Sequence, residues 1–185
     1  PELPAAAWAR LAAEPAPAAE VPHDPLRFAA ETVEMSVLPG GDAVRIEGRY
    51  TIANDSSEDL TRRIFFPFAV DEAHPWPSAV ELQGRVQARL RDGVVFPLSV
   101  PAGGETTFTL AYTQESLDSS ATYIVTTANA WEQPLADSSL ILHLPEGLTL
   151  VAQSPALEPV AEGTWSARFT PFLPEGEWVV RWETR

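Results

Sequence analysis

Three histidines, no cysteine and a surplus of carboxylates set the chemistry open to this chain. His23, His74 and His143 are far apart and lack metal-ligand spacing. The missing cysteines exclude disulfides, thiolate nucleophiles and cysteine metal sites together. There is no Gly-x-Ser-x-Gly elbow, phosphate loop, dinucleotide fingerprint or zinc-protease His-Glu pair. Asn54, Asp55, Glu58 and Asp59 place four hard oxygen donors in one short stretch, the set a calcium ion takes. The alternating Asp-x-Asp-x-Asp-Gly spacing is missing, and a strand-connecting turn favours the same residue types because they bond their own backbone. A turn is therefore expected, with calcium as the metal alternative and no cofactor. A carboxylate-based hydrolase leaves no local signature, since its two acids come from different strands.

Aromatic residues carry the main binding expectation. Trp76 in His74-Pro75-Trp76-Pro77 and Trp131 in Asn129-Ala130-Trp131 fall in expected loops, where a ring either covers the core or meets a ligand. Flanking prolines hold Trp76 rigid and lower the cost of ordering it. His74 joins these two as a loop residue able to bind. Trp178 and Trp182 share one strand face with Val180, and they and Trp165 are expected in the core. His143, between Leu142 and Leu144, points away from that leucine face.

Twelve basic against 26 acidic residues give a formal charge of −14, and every basic residue is an arginine. Such a surface repels phosphate backbones and anionic lipid, so nucleic acid is excluded as a partner. No apolar run approaches the roughly 18 residues of a membrane span.

Positioning these residues falls to strands. Val44-Arg45-Ile46-Glu47-Gly48-Arg49-Tyr50-Thr51-Ile52 alternates apolar and polar residues, which puts one sheet face on a core and the other in water. The pattern recurs in Glu31–Leu38, Leu60–Phe68, Arg85–Arg91 with a hairpin at Asp92-Gly93 onto Val94–Val100, Glu105–Thr113, Thr122–Thr127, Ser138–Leu144, Thr164–Thr170 and Glu177–Glu183. With short strands at Ser78–Leu82 and Leu148–Gln153, about eleven strands result, packed as an all-β, two-sheet antiparallel sandwich over 28–185. Asn54–Asp59 reads as a hairpin connection. Pro67 and Pro97 read as guards of sheet edges. Residues 1–27, rich in Pro and Ala, read as a flexible or partner-docking arm, with Trp8 and Leu11 as its docking side chains. A proline–alanine start fits an exported protein, so an extracytoplasmic setting is expected.

Tyr50-Thr51-Ile52-Ala53-Asn54, Ile64-Phe65-Phe66-Pro67, Pro101 to Tyr112 and Phe172 to Trp178 resemble the immunoglobulin/fibronectin-like sandwich of bacterial exported proteins. The first two phrases are also similar to the vault/inter-α-trypsin domain. The resemblance implies a β-sandwich and adds no site residues. The expected function is a non-enzymatic module that binds a protein partner in an envelope or surface assembly. A carbohydrate-binding or adhesion module using Trp76 and Trp131 is the first alternative, the carboxylate hydrolase the second.

Overall fold

The computed structural model describes residues 24–83, 85–86, 91–131 and 133–185. Trp8, Leu11 and His23 lie outside them. The spine of the fold is a pair of twelve-residue strands, β1 (Leu26–Val37) and β2 (Ala43–Asn54). They run antiparallel from Leu26 opposite Asn54 to Val37 opposite Val44. Their turn holds Gly41 at φ +77°, and a Cβ there would lie 2.9 Å from the Trp182 indole nitrogen. That nitrogen donates to the Gly41 carbonyl at 3.1 Å, so the turn tolerates only glycine.

The remaining strands are β3 (Leu60–Pro67), β4 (Ala79–Leu82), β5 (Arg85–Val86), β6 (Gly93–Val100), β7 (Glu105–Glu115), β8 (Ser120–Tyr123), β9 (Asp137–His143), β10 (Leu148–Ser154), β11 (Glu158–Ala161), β12 (Thr164–Phe169) and β13 (Trp178–Thr184). Eight of them form one sheet in the order β11-β12-β9-β1-β2-β7-β4-β5. Across its inner face lie a three-stranded sheet, β10-β13-β8, and a two-stranded ribbon, β3-β6. The apolar faces of strands from all three sheets meet in one core, where Val33, Met35, Leu140, Leu142, Trp178 and Val180 are fully buried. Full burial of one such side chain contributes about 1.5–3 kcal/mol.

The all-β, layered expectation holds, and several details change. β1 and β9 pair in parallel, from Ala30 opposite Asp137 to Ser36 opposite His143, so the large sheet is mixed. Thirteen strands are present among the described residues. The fold takes in Leu26 and Arg27, because Leu26 is buried and already paired in β1; the arm's expected boundary at residue 27 is too late. Asn54–Asp59 is no hairpin: β2 and β3 belong to different layers, and the segment crosses between them. Among the described residues, β5 pairs with β4 and β6 with β3, in place of the expected hairpin of the first onto the second. In place of the expected strand through Thr127, β8 ends at Tyr123 and a 3-10 turn spans Thr126–Trp131. Local alternation is legible in a sequence, whereas strand partners are chosen by tertiary packing.

Candidate binding cleft

The second layer is split. β3 ends one half and β8 the other, and between them opens a cleft of about 430 Å³. Its floor is the large sheet, through Leu26 and Phe28 of β1, Tyr50 and Ile52 of β2 and Phe108 of β7. One wall is β3 from Arg62 to Pro67; the other is Tyr123 with Thr127, Ala130 and Trp131 of the 3-10 turn. Rings dominate the lining. Phe28 lies 6.0 Å from Trp131, and Tyr50 lies 5.4 Å from Phe66 and 5.1 Å from Phe108, centroid to centroid.

The turn wall and the floor are held in place. The Thr126 backbone N–H and hydroxyl both donate to the Glu177 carboxylate, and Asn129 Nδ2 donates to the Pro174 carbonyl at 3.1 Å. Trp131 is thereby fixed at the mouth. On the floor, Tyr50 folds back over Gly48 so closely that a Cβ at 48 would lie 1.7 Å from the phenol oxygen. Only glycine leaves room for that ring, whose hydroxyl meets the Tyr123 hydroxyl at 2.9 Å. Burial drives both phenols well above the ordinary tyrosine value, so both stay protonated and share one hydrogen bond.

Below the floor lies a buried acid. A bulge between Phe28 and Ala30 shifts the phase of β1, so that Glu31 faces inward with Val33 and Met35. Glu31 stands opposite Tyr50 and accepts a hydrogen bond from Ser138 at 2.8 Å. Burial pushes its carboxyl up to about 7, the Ser138 bond only partly opposing this.

Of the expected binding residues that lie among the described ones, Trp131 lines the cleft and Trp76 and His74 do not. Trp76 packs edge-on against Phe68 at 5.2 Å, as a partly buried cover of the core. His74 is 5% exposed and sits in a polar clasp. Its Nδ1 lies 2.9 Å from Asp71 Oδ1, and its Nε2 lies 3.0 Å from the Ser120 carbonyl, 3.2 Å from Ser120 Oγ and 3.4 Å from Asp118 Oδ1. Asp, His and Ser thus come together, though not as a nucleophilic relay. Both ring nitrogens face acceptors, while Ser120 Oγ directs its single proton to Asp118 at 2.7 Å. Partial desolvation pushes the Asp71 carboxyl up, but the backbone and side-chain hydrogen bonds from His74, with the Ala73 N–H, outweigh it and leave it below the usual value.

The acidic stretch is likewise engaged. Asn54 is 1% exposed; its amide donates to the carbonyls of Glu58, Val100 and Pro101, and its oxygen accepts from Ser56. Asp55 pairs with Arg27 at 3.0 Å, and Asp59 accepts from the Ala102 N–H at 2.9 Å. Those oxygens clamp a crossover instead of converging on a point. Among the described residues, no three or more His, Cys, Asp or Glu side chains are grouped to hold a metal. His143 is half-exposed on the outer face, 3.8 Å from Glu34.

Sequence reasoning missed the rest of the cleft: Phe28, Tyr50, Arg62, Arg63, Phe66 and Tyr123. One signal was available. In Leu60-Thr61-Arg62-Arg63-Ile64-Phe65-Phe66, period two puts Arg62 on the face of Leu60, Ile64 and Phe66, and a charge in that phase marks an opening in the core.

No family model and no curated protein matches the chain. Solved structures do. A candidate nutrient binding protein from Legionella pneumophila superposes with a TM-score of 0.60 at 10% identity, over 86% of this chain and 67% of that one. An M1 zinc metallopeptidase from Deinococcus radiodurans gives 0.45 at 15%, over 84% of this chain and 42% of the peptidase. The yeast LTA4 hydrolase gives 0.41 at 12%, over 98% of this chain and 33% of the hydrolase. The chain thus spans well under half the length of the two enzymes, and its likeness to the Legionella protein is one of fold.

Proposed function

We propose that this chain is a non-enzymatic binding module that holds a polypeptide segment of a partner protein in the cleft between β3 and the Thr126–Trp131 turn. The observation that carries the proposal is the split second layer, which opens an aromatic-walled cleft directly onto the core. Apolar concavities of a few hundred Å³ with a small number of polar groups are the usual form of a ligand site. Trp, Tyr and Arg, the residue types that dominate binding hot spots, are all in the lining.

The cleft chemistry also weighs against the alternatives. Sugar recognition needs several free side-chain donors and acceptors around an exposed ring, whereas half of this lining is Phe, Leu, Ile and Pro and the Tyr50 and Tyr123 hydroxyls are bonded to each other. Asp24 is the single carboxylate in it, and glycoside hydrolysis uses two. The description of the Legionella neighbour names binding, which is compatible with this reading. The envelope or surface setting belongs to the proposal and rests on the sequence.

The test is a parallel screen of a peptide library and a glycan panel against the full chain, read by tryptophan fluorescence. Peptide hits weakened by Trp131→Ala and untouched by Trp76→Ala support the proposal. Glycan hits alone, or peptide hits indifferent to Trp131, overturn it.

A further inference from the structure

The phase of hydrogen bonding along β3 says how such a segment binds. In an antiparallel ribbon, opposed residues alternate between pairs that exchange both backbone bonds and pairs whose N–H and C=O point outward. Pro97, opposite Arg63, and Pro67, opposite Gly93, lack an N–H. Neither costs the ribbon a bond if their pairs are the outward ones. The Phe68 N–H, bonded to the Asp92 carbonyl at 2.9 Å, fixes the same phase, since it continues the inward set of Leu60, Arg62, Ile64 and Phe66. The outward N–H groups of β3 are then those of Thr61, Arg63 and Phe65. Among the described residues, the amides of Thr61, Arg63 and Phe65 have no hydrogen-bond acceptor, and the Thr61 carbonyl accepts only from the Arg62 guanidinium at 3.4 Å. The prolines guard β6 along its outer edge and β3 only at its last position, which leaves the cleft side of β3 open.

Charge and apolar surface sit along this edge. Phe65 is 52% exposed beside Val95 on the outer face. Arg62 and Arg63 both line the cleft; Arg62 has Asp24 at 3.8 Å, and Arg63 has no ion pair among the described residues. In a chain of net charge −14, two adjacent arginines at one mouth form a local basic site.

We propose that the partner segment adds to β3 as a further strand, and that it alternates apolar with acidic residues. This rests on the cleft being the polypeptide site. The backbone of the segment satisfies the amides of Thr61, Arg63 and Phe65, apolar side chains of one phase enter the cleft against Ile64, Phe66 and Trp131, and acidic ones of the other phase meet Arg63, since Arg62 shares the face of Ile64 and Phe66 and is paired with Asp24. Strand addition of this kind takes affinity from the main chain and selectivity from alternate side chains.

The probe is a short blocked peptide alternating glutamate with valine and phenylalanine, used with the full chain beside two controls. One control carries lysine for glutamate, and the other is N-methylated on alternate amides. In the free protein, the amides of Thr61, Arg63 and Phe65 exchange with deuterium ~10-fold or more faster than those of Arg62, Ile64 and Phe66. The glutamate peptide slows them at least ~10-fold, the N-methylated control does not, and Arg63→Gln narrows the preference for glutamate over lysine. Thr61→Pro and Phe65→Pro remove outward donors without touching the β6 ladder and weaken binding ~10-fold. Protection of these amides in the free protein overturns the inference, because the edge is then already paired by a second copy or by residues 1–23. Equal binding of the N-methylated peptide overturns strand addition while leaving the cleft as the site. Failure of the alternating peptide beside other library peptides that perturb Trp131 does the same, whereas failure of every peptide overturns both proposals.

Discussion

The His74 loop and the cleft sit at opposite extremes of satisfaction. Around His74, both ring nitrogens, Asp71, Asp118, Ser116 and Ser120 are joined in one closed set of hydrogen bonds. Around the cleft, rings stand open and one strand edge has no backbone partner among the described residues. A satisfied polar cluster with nothing left to offer rigidifies a fold, while an open apolar wall beside unpaired amides has binding energy in reserve. Two loops of the same apparent kind, each a tryptophan with a nearby proline, therefore do different work.

The largest expected effect is at Gly48. Gly48→Val drives the Tyr50 ring out of the cleft floor and breaks its bond to Tyr123, lowering unfolding free energy by about 3 kcal/mol in denaturant titration. Equal stability of the variant would place the ring elsewhere.

The two carboxylates give opposite pH signatures, which sharpens the contrast. Asp71, held down, contributes stability above the ordinary aspartate value of 3.8 and loses it only as pH falls below that. Glu31, raised from 4.5 to about 7, keeps its proton when folded and loses it when unfolded, so its contribution declines between those values and stays low above them. That gap of roughly 2.5 pH units, at about 1.4 kcal/mol each, corresponds to about 3–4 kcal/mol. Glu31→Gln should raise stability at pH 8 by about 2 kcal/mol and flatten the slope between pH 4.5 and 7. An unchanged slope would mean that Glu31 is hydrated.

His74→Ala should cost about 2 kcal/mol, because it empties the space of a buried ring and removes its bonds to Asp71 and to the Ser120 carbonyl, and should leave peptide affinity intact. A binding defect without loss of stability would reverse the roles of the two regions. Smallest in stability is Trp131→Ala, at about 1 kcal/mol or less, although it should weaken a cleft-bound peptide ~10-fold. Trp76→Ala shows the inverse pattern, with about 2 kcal/mol lost from its packing on Phe68 and affinity retained.

The sequence carried much of the fold and little of the site. Period-two alternation placed Val44, Ile46, Tyr50 and Ile52 in the core correctly, along with Trp178 and Trp182. It is blind to partners, so the parallel β1–β9 pairing and the crossover at Asn54–Asp59 did not show. The cleft arises where two halves of a layer fail to meet, and no local pattern encodes a gap between β3 and β8. Trp76 and Trp131 look alike in sequence because the difference lies in what packs beneath them, Phe68 under one and an open floor beside the other. Glu31 shares the phase of Val33 and Met35, so its burial was readable; nothing local said that Ser138 would meet it.

The most direct measurement follows the two indole N–H signals by NMR as a library-selected peptide is titrated into the full chain. Binding at the cleft predicts that the Trp131 signal shifts with saturation while that of Trp76 stays in place. A shift at Trp76 with Trp131 unmoved would contradict the assignment of the cleft as the binding site.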